Sequence, residues 1–371
     1  MKVIRNWAIS YKQYLDKGNY FMETIYLIMP GKISDNFAET VKIATENCQL
    51  TRIKTNKDFP VDLRNKKIIF AIELDECGFN IPLFEMLLKL KERGDDPLLD
   101  SRAVIIIQSS SELFTKSTTQ KIVFLTNQMG CRFPGHPAIE ATHNLDNFLT
   151  WQKTYNLPLL EIYQEQAKEL VEKLTGENLK LINRPKILVL HSSLFKTSNT
   201  LMLWKMVKES LGEEDIRELH VENGTVVDCR GCSYKTCIHN SEEKSCFYGG
   251  IMVKEILPAI EGADCIIWLC PNYNDAISAK LMAVINRMTV LYKKVEFGDK
   301  TLFSIVVSGN SGSDCVAKQL IGALNINKGF RLPPYFALTA TANDPGSIMN
   351  VLGIDQKAKK FAENIKREIK K

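Results

Sequence analysis

No stretch of this 371-residue chain is long and apolar enough to span a bilayer. Its start lacks the unbroken apolar core of a signal peptide, because Lys2, Arg5, Lys12, Asp16 and Lys17 are dispersed among Trp7, Tyr11 and Tyr14. A cytoplasmic protein without a membrane partner is expected. Charge of one sign is also scarce: the net charge is +5, and the Lys/Arg excess collects between Lys357 and Lys371. A solvated helix face accounts for that excess, so no nucleic-acid partner is read from it. No Gly-x-Gly-x-x-Gly fingerprint is present, and a separate dinucleotide domain is not expected. The five histidines, His136, His143, His191, His220 and His239, accompany no Gly-x-Ser-x-Gly elbow, which argues against a Ser-His-Asp hydrolase. In a reducing compartment the ten cysteines are not expected to form structural disulfides.

What the chain does contain is one layout written twice. Residues 100–144 overlay 299–343 at an offset of 199, so that Gly130-Cys131-Arg132-Phe133-Pro134 falls on Gly329-Phe330-Arg331-Leu332-Pro333. Upstream, Ile68-Ile69-Phe70 falls on Ile266-Ile267-Trp268 at an offset of 198. Such a repeat predicts two related domains. Each copy alternates short β-branched runs with amphipathic segments, the pattern of α/β domains with parallel sheets. Strands are expected at 24–29, 50–54, 67–73, 103–108 and 136–141, then at 186–191, 215–221, 264–270, 301–308 and 335–340. Helices are expected near 35–46, 81–92, 116–128 and 146–174, then near 199–211, 250–261, 278–292, 313–327 and 355–370. Runs such as Val104-Ile105-Ile106-Ile107 and Ile187-Leu188-Val189-Leu190 are uniformly apolar, as strands covered on both faces require. The expectation is a tandem of doubly wound, five-stranded flavodoxin-like domains: an extension at 1–22, a first domain at 23–180 and a second at 185–371.

In open α/β sheets ligands sit outside the carboxyl ends of the strands. In the second copy the loop after 186–191 reads Ser192-Ser193-Leu194-Phe195-Lys196-Thr197-Ser198-Asn199-Thr200. Its hydroxyls, amides and following helix start suit a phosphate monoester, although plain helix capping by Ser198 or Asn199 explains it equally. The loop after 264–270 reads Pro271-Asn272-Tyr273-Asn274-Asp275-Ala276-Ile277-Ser278, and that after 301–308 reads Gly309-Asn310-Ser311-Gly312. An aromatic and small polar residues there can flank a flat heteroaromatic ring, and the glycines let a ligand approach the backbone.

The second copy also holds an insertion at 224–250 containing Cys229-x2-Cys232-x4-Cys237-x8-Cys246. Four thiols so close in sequence can converge on one metal centre. Thiolate softness suits a [4Fe–4S] cluster or Zn²⁺, the spacing does not choose between them, and a metal-free segment stays open. The remaining cysteines, Cys48, Cys77, Cys131, Cys265, Cys270 and Cys315, stand in apolar or turn contexts and read as inert thiols.

With these motifs in place, residues 186–345 resemble the NAD(P)H-dependent FMN reductases and iron–sulfur flavoproteins of the flavodoxin-like superfamily. The resemblance rests on Ser192 with Ser198-Asn199-Thr200, on Pro271-Asn272-Tyr273 with Ser278-Ala279, and on Asn286-Arg287 where Asp-Arg is usual. It departs at His191, where Gly is common, at Met282, where Lys is common, and at Gly249-Gly250, where an acidic pair is usual. The resemblance implies that Ser192, Thr197, Ser198, Asn199 and Thr200 hold the FMN phosphate. It implies that Pro271, Asn272, Tyr273, Asn274, Asp275, Ala276 and Ser278, with Ser308, Gly309, Asn310 and Gly312, line the ribityl and isoalloxazine. It further implies NAD(P)H as electron donor and tilts the cysteines toward iron and sulfur. Three functions follow as expectations: a reductase passing electrons to a quinone, nitro, metal or protein acceptor; an iron–sulfur electron carrier for a ferredoxin-type partner; and a non-catalytic zinc-stapled scaffold.

The first copy differs. Its loops read Pro30-Gly31-Lys32-Ile33-Ser34-Asp35-Asn36 and Glu73-Leu74-Asp75-Glu76-Cys77-Gly78-Phe79-Asn80, with three carboxylates where a flavin would lie. Carboxylates beside an anionic FMN are unfavourable. This copy is expected to have lost flavin binding and to pack on the second as an intramolecular pseudo-dimer, with or without further pairing between chains.

Overall fold

The structure, a computed structural model, describes residues 23–371 apart from 177–178, 180, 222–225, 243–244 and 293–294. The expected extension at 1–22 lies outside the described residues, as do parts of the 224–250 insertion. The first half runs β1 (Ile25–Ile28), α1 (Asp35–Ala44), β2 (Leu50–Ile53), β3 (Lys67–Leu74), α2 (Ile81–Lys91), β4 (Arg102–Ser109), α3 (Thr115–Asn127), β5 (Ala138–Ala141), α4 (Leu149–Tyr155) and α5 (Leu159–Gly176). The second runs β6 (Lys186–His191), α6 (Asn199–Leu211), β7 (Asp215–His220), α7 (Tyr234–Glu242), α8 (Leu257–Gly262), β8 (Cys265–Pro271), α9 (Ala279–Arg287), β9 (Thr301–Ser308), α10 (Ser313–Leu320), β10 (Ala337–Thr341) and α11 (Ile354–Ile369).

Two five-stranded sheets result, ordered β2-β1-β3-β4-β5 and β10-β9-β8-β6-β7, and every pairing within them is parallel. Counted from its own first strand, each has the order 2-1-3-4-5, which is flavodoxin-like. The repeat holds at the level of register: Phe70 lies opposite Ile28 and Ile105, and its counterpart Trp268 lies opposite Leu190 and Ser304. Among the described residues no helix is long and apolar enough to cross a membrane.

Three apolar clusters set the layering. Ile25, Leu27, Ile69, Val104 and Ile106 pack one face of the first sheet against α1 and α5 through Phe37, Val41 and Tyr163. Ile187, Val189, Ile267 and Phe303 pack the outer face of the second against α6 and α11 through Leu203, Trp204 and Phe361. The largest cluster lies between the sheets and joins Phe70, Ile105 and Leu87 of the first half to Trp268, Leu302 and Leu320 of the second. Burying both inner faces in one core offsets the conformational entropy of ordering two halves together. At the crossing, Phe133 and Leu332 exchange two backbone hydrogen bonds of 2.9 Å each. The approach is so close that a Cβ on Gly135 would lie 1.8 Å from the Gly329 carbonyl oxygen.

The strands fall where the sequence places them, within one or two residues. The long helix expected at 146–174 does not form as one piece. Asn156 takes a left-handed φ of 54° and ends α4, and Pro158 cannot continue a helix interior, so α5 starts afresh at Leu159. Met252–Ile256 and Ile321–Lys328 wind as π-helical turns adjoining α8 and α10. Helix α7 inside the insertion was not anticipated, because its few apolar residues carry little periodicity.

Candidate functional site

At the carboxyl ends of β6, β8 and β9 three loops meet. Parallel strands leave this edge with free carbonyls, and each following helix presents its unpaired N–H groups there. Ser192 is buried, and its Oγ lies 2.8 Å from Ser278 Oγ, joining the β6 loop to the start of α9. Asn272 donates from Nδ2 to Ser308 Oγ at 3.1 Å, to the Ser311 carbonyl at 2.9 Å and to Asp275 Oδ1 at 3.1 Å, joining the β8 loop to the β9 loop. Ser308 Oγ in turn lies 2.7 Å from Ser313 Oγ at the start of α10. Within the β8 loop, Tyr273 and Ala276 exchange backbone bonds while Asn274 and Asp275 take left-handed φ of 53° and 57°. The Tyr273 ring is left 56% exposed on the rim.

Gly312 is required at its position. Its φ is +84°, and a Cβ there would lie 1.8 Å from Asp275 Oδ1. Gly309 approaches Asn343 Oδ1, which a Cβ would meet at 2.8 Å. Asn310 turns its own loop, accepting from the Ser311 N–H at 2.7 Å.

The β6 loop is the least satisfied of the three. No side-chain hydrogen bond caps α6, although Ser198 stands at the capping position. Ser193, part of this loop but outside the phosphate set that the resemblance implies, is 7% exposed and its Oγ has no hydrogen-bond partner. Thr200 is buried, and Thr197 accepts at its carbonyl from the Gly346 N–H at 3.0 Å. Asn199 serves differently from expectation. Its Nδ2 donates to the Ala342 carbonyl at 3.0 Å and the Asp344 carbonyl at 2.9 Å, and its Oδ1 accepts from Ile348 N–H. Both amide hydrogens are thus engaged in holding the loop after β10. Gln319, also missed, fixes the β8 loop by accepting from Ile277 N–H at 3.1 Å and donating to the Asp275 carbonyl at 2.8 Å.

The matching corner of the first half is already filled. Glu73, the penultimate residue of β3, stands at the position of Pro271. Its carboxylate accepts from Ser34 N–H at 2.6 Å, from Ser34 Oγ at 2.8 Å and from Gln108 Nε2 at 3.1 Å. Ser34 caps α1 by accepting from Phe37 N–H. Asp75 Oδ1 accepts from the Cys77 and Phe79 N–H groups, and Asn80 Nδ2 bonds the Pro30 carbonyl. The Ser34, Cys77 and Phe79 N–H groups there are taken by the chain's own carboxylates.

The insertion is anchored from α9. Asn286 Nδ2 donates to Asp228 Oδ1 at 3.0 Å, and the buried Arg287 donates to the Val227 carbonyl at 3.1 Å and the Gly249 carbonyl at 2.9 Å. One guanidinium thereby ties both ends of the described insertion. Between them, Cys229 is exposed and Cys232, Cys237 and Cys246 are partly buried. Burial pushes the Cys237 thiol up, and the neighbouring Cys229, Cys246 and Cys232 add to the effect. Cys232 Sγ donates to Tyr248 Oη at 3.7 Å. The four thiols share a neighbourhood, yet among the described residues no three His, Cys, Asp or Glu side chains form a set that could hold a metal ion. Cys131, Cys265 and Cys270 are fully buried with thiols pushed far up by desolvation, as inert core residues are.

Residues 185–343 match the model of the NADPH-dependent FMN reductase family. Solved structures similar to this chain include an NAD(P)H:quinone oxidoreductase from Methanothermobacter marburgensis, 14% identical with a TM-score of 0.39, over 49% of this chain and 96% of that one. Another is an FMN-dependent NADH-azoreductase from Bacillus anthracis in complex with FMN, 14% identical with a TM-score of 0.35, over 48% of this chain and 99% of that one. No curated protein matches the sequence.

Proposed function

With residues 185–343 identified as an NADPH-dependent FMN reductase-type segment, we propose that 185–371 is the FMN-binding domain of an oxidoreductase. It takes electrons from NAD(P)H and delivers them to a quinone, nitro, metal or protein acceptor. The observation that carries this reading is the contrast between the two β-strand-to-helix corners. In the first half the Glu73 carboxylate occupies the Ser34 N–H and hydroxyl. In the second, α6 begins uncapped and the Ser193 hydroxyl is buried without a partner. A phosphate monoester satisfies such a corner, since a helix N-terminus and hydroxyls favour an anion there.

Ser192, Ser193, Thr197, Ser198 and Thr200 would hold the phosphate, with Asn199 shaping the loop. Pro271 to Ser278 and Ser308 to Gly312 would line the ribityl chain and ring, with Tyr273 at the rim. FMN, when bound, supplies the two-electron chemistry between nicotinamide and acceptor, so the protein's part is to bind, orient and shield. Asn272 and Gln319 serve that part by fixing the walls before the ligand arrives.

The first half, 23–180, is proposed as a degenerate flavodoxin-like domain that pairs with the second as an internal pseudo-dimer. As placed, the four thiols do not fit a metal, so no step is routed through a cluster. An electron carrier with a ferredoxin-type partner, or a zinc-stapled scaffold, requires the insertion to close around iron or zinc, and metal analysis of the purified protein tests both. Titration of the full chain with FMN tests the main reading: one site per chain, bleached by NADPH, is expected. A chain that binds no FMN contradicts it.

A further inference from the structure

His191 is the last residue of β6 and immediately precedes Ser192 and Ser193. Side chains alternate across a sheet, so His191 lies on the face of Ile187 and Val189, which α6 covers through Leu203, Trp204 and Val207. It is paired in register with His220 at the end of β7. The two imidazoles stack with centroids 4.9 Å apart and planes 8° apart.

The charged and titratable groups around this pair are few. From β7 come His220 and Glu218, and Glu218 is held by Lys208 of α6 at 2.6 Å. From β8 the register partner is Leu269, which carries no charge. The start of α6 adds the positive end of a helix dipole. Burial, and after it the neighbouring imidazole, holds His191 below the ordinary histidine range, against the opposing pull of the Glu218 carboxylate and of a hydrogen bond to the Ser193 backbone. With no anion on the loop His191 is thereby biased toward its neutral form, and a dianion placed on that loop changes the balance.

We infer that His191, backed by His220, is the phosphate-sensing residue of this corner: FMN binding is coupled to uptake of a proton by the stacked histidine pair. No covalent bond changes; a proton passes from solvent to an imidazole nitrogen, and the bound dianion offsets the new positive charge. This inference rests on the FMN reading proposed above. It makes FMN affinity fall as pH rises, by about tenfold per pH unit where one full proton is taken up. It also makes the protein distinguish FMN from riboflavin, which has no phosphate.

The test is calorimetric titration of the full-length apoprotein with FMN and with riboflavin at about pH 7.5, where the phosphate is a dianion, in buffers of different ionisation enthalpy. The expected result is net proton uptake with FMN and none with riboflavin. In H191Q the uptake disappears and FMN affinity drops about tenfold, as loss of a one-unit linkage gives, while riboflavin affinity is retained. In H220N, which removes the ring that disfavours charge on His191, the uptake window moves to higher pH. FMN binding without proton uptake, an unchanged profile in H191Q, or an unmoved window in H220N overturns the inference and leaves the FMN reading standing. Failure of the wild-type chain to bind FMN overturns both.

Discussion

Asn127 and Asn325 stand in reciprocal positions across the contact between the two halves. Asn127 donates from Nδ2 to the Pro333 carbonyl at 2.6 Å, and Asn325 donates to the Pro134 carbonyl at 2.9 Å. Each also bonds a carbonyl of its own turn, Cys131 for one and Phe330 for the other. The backbone repeats the exchange, Tyr335 N–H donating to the Asn127 carbonyl and His136 N–H to that of Asn325. The relationship breaks at one atom. Asn127 Oδ1 accepts from Phe336 N–H at 3.1 Å, whereas Asn325 Oδ1 has no partner. Pro137 stands at the position matching Phe336, and proline has no N–H to give.

That asymmetry makes a stability prediction. Both asparagines are buried, so replacing either by alanine strands two carbonyls and costs about 2 kcal/mol or more. N127A additionally strands the Phe336 N–H and should cost roughly 1 kcal/mol more than N325A. Urea denaturation of the two variants measures the difference, and equal losses would remove the significance of the Pro137 substitution.

Gly135 gives a sharper test of the close approach. A Cβ there meets a backbone oxygen at 1.8 Å, which no side-chain rotation relieves. G135A is expected to cost more than about 3 kcal/mol, the upper part of the range for overpacking, and to lower the unfolding midpoint of the whole chain in one transition. Separate transitions for the two halves would show that the shared core does not couple them.

Much of this architecture is legible in the sequence because it depends on local runs. Strands β6 and β9 are built on the apolar runs Ile187–Leu190 and Ile305–Val307 and flanked by polar turns, so their limits are read correctly. The break between α4 and α5 escaped because apolar residues from Leu149 to Leu174 keep a helical rhythm across it, although Pro158 carried the contrary signal. The π-helical turns at 252–256 and 321–328 answer to packing and have no local signature. In the candidate site, the hydroxyl-rich loop and the Pro-x-Tyr loop are visible, but the partners of Asn199, Gln319 and Arg287 lie about 40 to 150 positions away. Glu73 was recognised as a misplaced charge. That Ser34 binds it follows only from the fold.

Arg287 supplies a prediction about the insertion. R287M removes bonds to the carbonyls of Val227 and Gly249 and frees both ends of the cysteine segment. Loss of roughly 1.4 kcal/mol against local opening raises the open population about tenfold. Thiol labelling of Cys232, Cys237 and Cys246 should accelerate by that factor, with Cys131, Cys265 and Cys270 unaffected. Unchanged rates would show that the segment is held by other contacts.

His136 links the interface to pH. Burial depresses its basicity below the ordinary histidine range, the Ile326 carbonyl opposing the effect, and Nδ1 lies 3.0 Å from that carbonyl. With the folded-state value below the unfolded one, the unfolded chain binds the proton first. This contribution to stability is complete above the unfolded value of about 6.5 and is lost as pH falls toward the folded value. Wild-type stability between about pH 7 and pH 5 should fall more steeply than that of H136Q. Parallel curves would show that His136 does not titrate with unfolding.

The second half, and not the first, is expected to hold one FMN. Anaerobic titration of the full-length apoprotein with FMN, read by the visible flavin bands and followed by NADPH, tests it most directly. Saturation at one FMN per chain, bleaching with NADPH, and loss of binding in G312A, whose new Cβ would collide with Asp275 and Asn272, are expected. A chain that stays colourless, or binding that survives G312A unchanged, would contradict it.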